Sequence, residues 1–172
     1  MNTARRLHCA TLLSLGLWLA GESSAALALD PPKSKAVLTL SGKIGSPNQG
    51  DKAVFDLDML KALPQTTFTT QTPWEKTPTT FNGPLLRDVL TAAKAQGTTL
   101  KAVALNDYKV SLPVSDGQKF DVIVAHQMDG KPIPVRTKGP LFIVYPFDRH
   151  ADLRNSTYYE RSIWQLKAIE VE

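Results

Sequence analysis

FNGPLLRDVLTAAKAQG, residues 81–97, decides the fold, because its apolar positions recur with a helical period in a chain that otherwise reads as short strands. Leu85, Leu86, Val89, Leu90 and Ala93 share one face, while Arg87, Asp88, Thr91 and Lys94 turn away. Pro84 suits a first helical turn, where its missing N–H costs nothing, and Gly97 suits a left-handed closing residue. The spacing predicts a core-packed helix over about 84–96.

Outward from that helix the pattern changes to period two. AVLTLSG (36–42) alternates and ends at Gly42, and KIGSPNQGD (43–51) is a loop by its Gly, Pro and Asn. In KAVFDLDMLKALPQ (52–65) a strand closes at Phe55, and Asp56 can cap a short helix that carries Leu57, Leu60 and Leu63 and stops at Pro64. TTFTTQ (66–71) is threonine-rich and reads as a strand. LKAVALN (100–106) and YKVSLPV (108–114) flank an Asn106-Asp107 turn. DVIVAHQ (121–127) and LFIVYP (141–146) are apolar strands separated by an MDGK turn and a proline-rich connection, and SIWQLKAIEVE (162–172) has strand composition. The expected class is α+β, a β-rich mixed sheet with one main helix.

The start of the chain follows another order. MNTARR, LHCATLLSLGLWLA and SSAALALD run charged, apolar, then small, as a secretory signal peptide does, with cleavage expected near Ala26 or Ala28. Residues 1–28 are thus read as signal peptide, 29–35 as a flexible tail and 36–172 as the domain, exported to the periplasm. Arg5-Arg6 lacks the polar residue that precedes a twin-arginine motif, so the general secretion route is expected. No later window reaches the roughly 20 apolar residues of a membrane span.

Of the 172 residues, 144 remain after cleavage at Ala28, enough for one domain with its own core. The only cysteine, Cys9, leaves with the signal, which removes disulfides and thiolate chemistry from the mature chain. Two histidines remain, His126 and His150, and no HExxH spacing is present. The net charge falls from +4 to +3 with the loss of Arg5, Arg6 and Glu22, and no basic run suggests nucleic acid. GxSxG, P-loop and GxGxxG motifs are absent, so neither hydrolase nor nucleotide-binding chemistry has support.

The order FNGPLLRDVL, ALNDYKVSLPVSD, VIVAHQMDGKPIPVRTKGPLFIVYP, SIWQLKAIEVE resembles the oxidoreductase molybdopterin-binding domain family, the sulfite-oxidase-type fold, over about 36–171. That resemblance implies a domain which, in catalytic members, holds a pterin-dithiolene molybdenum and transfers oxygen atoms or electrons. It also implies a ligating cysteine in the loop before the main helix. Here that loop is TTQTPWEK (69–76), with Gln71 and Thr72 about where the cysteine belongs. The family favours an arginine after the Pro-Leu of KGPLFIVYP, where this chain has Phe142.

Basic groups near these loops hold the pterin phosphate in catalytic relatives, which makes Arg136, Lys138, Arg149 and His150 candidates for an anionic ligand or pterin. Lys131 and Arg154 add to the same charge, and all could equally be solvated loop residues. His126 faces either the pocket or a backbone partner, and Asp107 and Tyr108 either line the cleft or only form the turn. Trp74 is a lid or a packing anchor. Tyr158, Tyr159 and Trp164 beside Arg161 make either a patch for an envelope protein partner or the last layer of the core. The expected function is an exported ligand-binding or sensory accessory domain with no cofactor and no molybdenum catalysis. The alternatives are a molybdopterin-dependent oxidoreductase with altered ligation and a structural interaction module.

Overall fold

A computed structural model describes residues 29–172; the expected signal segment 1–28 lies outside the described residues. The elements run β1 (Ala36–Gly42), β2 (Ala53–Asp56), α1 (Leu57–Ala62), β3 (Gln65–Thr70), β4 (Thr79–Pro84), α2 (Leu86–Ala92), β5 (Thr99–Ala104) and β6 (Lys109–Pro113). They continue α3 (Val114–Lys119), β7 (Ile123–Ala125), β8 (Gln127–Met128), β9 (Lys131–Pro132), β10 (Phe142–Val144), a single 3-10 turn (Ala151–Leu153), α4 (Ser156–Arg161) and β11 (Leu166–Val171). The class is α+β, as expected.

Five strands form the main sheet in the order β2-β1-β11-β5-β6. Its centre is the last strand: β11 pairs parallel with β1 and antiparallel with β5, so the chain end closes the sheet between earlier strands. Alternation explains the buried face, where Leu38, Leu40, Leu100, Ala102, Leu166 and Ile169 are fully buried or nearly so. A four-stranded sheet, β3-β4-β8-β9, lies beside the two-stranded pair β10-β7. Asp129 and Gly130 both take positive φ, 50° and 73°, which makes the MDGK turn a tight hairpin between β8 and β9.

The apolar interior is divided. The larger cluster joins the main sheet to α2 and the inner faces of β7 and β10, and the smaller one gathers Phe68, Phe81, Ile123, Ala125, Ile133, Phe142 and Val144. Asp56 caps α1 as expected, accepting from the Met59 N–H at 2.9 Å. Its other oxygen accepts from the Lys33 and Ser34 N–H groups at 2.8 and 2.9 Å. The Met59 bond, helped by those two against the cost of burial, holds this carboxyl below the usual carboxylate range. The segment 29–35, expected as a flexible tail, is therefore tied to the domain at Asp56.

The main helix is shorter than its sequence pattern. Phe81 through Pro84 belong to β4, paired with Phe68 back to Gln65, and helix α2 begins only at Leu86. The cause is at the boundary: the Leu86 N–H donates to the Val122 carbonyl at 2.8 Å, so the chain leaves a sheet rather than entering a free helical turn. Lys94, not Gly97, takes the left-handed conformation after the helix, with φ 49°. Gly97 instead permits close approach, since a Cβ there would stand 2.3 Å from the Glu172 carbonyl oxygen. Helices α3 and α4, six residues each, go unannounced in the sequence and join α1 as short companions of α2, the longest helix of the described residues at seven. Gly117 within α3 and the aromatic pair within α4 obscure the helical period.

Gly83 shows how tightly β4 meets β7. A Cβ there would fall 2.2 Å from the Val124 carbonyl oxygen and 2.7 Å from the Ala125 Cα. Gly83→Ala should therefore cost about 1–3 kcal/mol of stability, read as a lower urea midpoint at unchanged slope.

Candidate functional site

The loop after β3 is fixed at both ends and through its middle. The Gln71 N–H donates to Asp148 Oδ2 at 2.7 Å, and the Gln71 side-chain amide donates to the carbonyls of Thr72 and Glu75 at 2.9 and 2.7 Å. Glu75 forms an ion pair with Lys138. Between them Trp74 packs against Phe142, Phe147, Tyr159 and Trp164, with ring centroids 5.9, 6.4, 6.1 and 5.5 Å away. Trp74 packs against both apolar clusters, so it is the anchor of the loop.

The same ring also walls a cleft of about 370 Å³. Its other aromatic walls are Tyr108, Tyr159 and Trp164, and Asn106, Glu160 and Ser162 supply polar groups at its sides. Each wall has a local cause. Asp107, at φ 65°, turns the chain between β5 and β6 and presents Asn106 and Tyr108 on either side; the Asn106 Oδ1 accepts from the Tyr108 N–H at 3.2 Å. Lys167 fixes Asp107 at 2.7 Å, and that bond holds the carboxyl below its ordinary range. Asn155 caps α4 by accepting from the Thr157 N–H, which orients Tyr159 and Glu160. A second cavity of about 280 Å³ shares the Tyr159 wall and is lined by Gln71, Thr72, Pro73, Asp148 and Arg154. There the Thr72 Oγ1, in a residue 2% exposed, has no hydrogen-bond partner.

The residues singled out from sequence are dispersed. Tyr108, 51% exposed, lines the cleft, and Asp107 adjoins it in the same turn. Lys138 reaches the loop through Glu75, whereas Arg136 is exposed on the connection between β9 and β10. Arg149 pairs with Asp121 at 3.4 Å and lies over the Phe68 ring at 5.4 Å; Asp121 also takes Arg87 at 3.1 Å. His150 packs edge-on against Phe120 at 5.2 Å. His126, 6% exposed, has its Nε2 at 2.8 Å from Gln65 Oε1, and burial, with Lys61 adding, depresses its pKa. Tyr158 and Tyr159 are half-buried against Phe120, Tyr145 and Phe147, and Tyr159 and Trp164 also face the cleft. Glu160 and Ser162 were not legible as cleft residues, because no helical period marks α4.

Helix α4 also reaches a buried polar cluster through Arg161. Asp116 Oδ2 accepts from the Tyr145 hydroxyl and from the Arg161 guanidinium, each at 2.8 Å. Tyr145 is fully buried. Burial first, and the Asp116 charge second, push its pKa far above the ordinary tyrosine value.

Residues 37–148 match the family model described as "Oxidoreductase molybdopterin binding domain". The chain belongs to that family. It is also similar to the sulfane dehydrogenase SoxCD from Paracoccus pantotrophus, at 16% identity and a TM-score of 0.58, over 78% of this chain and 37% of that one. This likeness establishes the sulfite-oxidase-type fold, and the chain spans little more than a third of that larger protein. No curated protein matches the chain.

Whether these residues suit a pterin-held molybdenum turns on their donors. The described residues contain no cysteine, and the loop offers the Gln71 amide, committed to two carbonyls, and the neutral Thr72 hydroxyl where a soft anionic sulfur would be needed. Of the basic residues between 131 and 154, Lys138, Arg149 and Arg154 are paired with Glu75, Asp121 and Asp148, and Arg136 is exposed on the connection between β9 and β10. This donor set does not fit the group.

The Tyr145 hydroxyl sets a pH test. A tyrosine whose pKa is raised on folding holds its proton longer in the folded state than in the unfolded one. Its contribution is complete below the unfolded value of about 10 and is lost progressively as pH rises beyond it. The native protein should therefore lose stability above about pH 10 more steeply than Tyr145→Phe, as urea midpoints across alkaline pH would show.

Proposed function

We propose that this member of the molybdopterin-binding domain family is an exported ligand-binding or sensory accessory domain that works without a molybdenum centre. The supporting observation is the loop at 71–76. Where catalytic relatives carry a metal-ligating cysteine, this chain carries Gln71 and Thr72, and Trp74 behind them builds an aromatic cleft. In this reading the loop has given up a metal ligand at 71–72 and supplies an aromatic cleft wall from Trp74 instead.

The cleft has the makings of a small-molecule site. It is concave, mostly apolar and served by a few polar groups, and its volume falls within the roughly 300–1,000 Å³ of such pockets. Its walls are held by bonds independent of any ligand, including Asp107 to Lys167 and Asn155 to Thr157, so it is formed in advance. Occupation would press on Trp74, which touches both apolar clusters, and so could be felt on either side of the domain. Export is supported by the signal-like order of residues 1–28. In the periplasm such a domain would report a small molecule to an envelope partner.

The decisive experiment is expression in a host that makes the pterin cofactor, followed by elemental mass spectrometry and pterin fluorescence on the isolated protein. The expected outcome is correctly folded protein from the periplasmic fraction without stoichiometric molybdenum or pterin. One molybdenum per chain would overturn the proposal.

A further inference from the structure

The cleft at Trp74 combines two features that select a ligand charge. Four aromatic residues wall it, Trp74, Tyr108, Tyr159 and Trp164, and Glu160 is its one charged lining residue among the described residues. Among the described residues no lysine or arginine lines it. Aromatic ring faces are electron-rich and attract cations, most strongly when tryptophan supplies the face and water is excluded. Trp74 meets Trp164 at 79° and Tyr159 at 78°, so the rings make walls at near right angles rather than a flat stack. A corner of this kind presents more than one ring to a compact guest.

The rings are also unclaimed by any cation among the described residues. The internal cation–π contacts of the described residues are Lys119 over Phe120, Arg149 over Phe68 and Arg161 over Tyr158, and none of those rings walls the cleft. An anionic guest would meet ring faces and a carboxylate of its own sign. A primary ammonium carries three N–H donors that need acceptors, and aromatic walls supply none. A quaternary ammonium has no donor to satisfy, so its charge can enter an apolar corner without leaving an unmet hydrogen bond.

We infer that the Trp74–Tyr108–Tyr159–Trp164 cleft binds a small quaternary or fully methylated ammonium compound, with Glu160 as the countercharge at its side. This deepens the reading of the cleft as the protein's ligand site and rests on it. The charge expected of the ligand is opposite to that suggested by the basic residues between 131 and 154, which lie outside the cleft and are mostly paired with carboxylates.

The test uses the mature protein and two probes of the same shape: choline, and its uncharged carbon isostere 3,3-dimethyl-1-butanol. Calorimetric titration, with tryptophan fluorescence as a second readout, should show saturable choline binding and at least about tenfold weaker binding of the isostere. Glu160 and Tyr108 are exposed, so Glu160→Gln and Tyr108→Leu should leave the melting curve unchanged. Glu160→Gln should weaken choline severalfold without affecting the isostere, and Tyr108→Leu should weaken choline as well. Equal affinity for both probes, or no saturation by choline in folded, metal-free protein, would overturn the inference and leave the proposed function standing. Stoichiometric molybdenum in the same preparation would instead overturn the reading on which it rests.

Discussion

The packing of Trp74 is the contact on which the rest depends. Without that ring, the two apolar clusters would lose a shared element, and the loop between β3 and β4 would be polar apart from Pro73 and Pro78. Edge-on and tilted aromatic pairs each contribute about 0.5–1.5 kcal/mol beyond simple burial, and Trp74 makes four of them. That is enough to pull a loop rich in threonine and proline onto the domain. The backbone of Gln71 and the carboxyl of Glu75 then fasten it to Asp148, on the connection after β10, and to Lys138, on the connection before it.

Site and fold are therefore the same piece of structure. The ring that seals the interior on one side walls the cleft on the other, and the turn at Asp107 and helix α4 complete the enclosure. The surrounding charges follow a consistent scheme. Lys138, Arg149, Arg154 and Arg161 each face a carboxylate, so the positive charge of the second half of the chain is largely answered within the domain. What remains in the cleft is aromatic surface with one acid beside it. The family's fold is retained.

Much of this could be read from sequence, for physical reasons that also explain the rest. Strands with clean alternation, such as Leu38 and Leu40 in β1, were legible because one face meets the core. The Asp56 cap and the Asp129-Gly130 hairpin were legible because so few residue types satisfy those geometries. The start of α2 was not, because Pro84 suits a helical first turn and an edge of a sheet equally well, and only the distant Val122 carbonyl decides between them. Helices α3 and α4 are too short for a period to emerge. Of the site, Trp74 and the Asn106–Tyr108 turn carried visible signals, whereas Glu160 and Ser162 acquire their position from helix α4, and the basic residues are dispersed by partners far away in sequence, Lys138 to Glu75 and Arg149 to Asp121.

The role of Trp74 as the link between the two clusters is most directly measured by native-state hydrogen exchange on the native protein and on Trp74→Ala. In the native protein, amides of the small sheet such as those of His126 and Asp129, bonded to Asn82 and Thr80, should open at a free energy close to that of the Ile169 amide in the main sheet. In Trp74→Ala the small-sheet amides should lose about tenfold or more in protection beyond any loss in the main sheet. Equal losses in both sheets, or protection unchanged in both, would contradict the role assigned to Trp74.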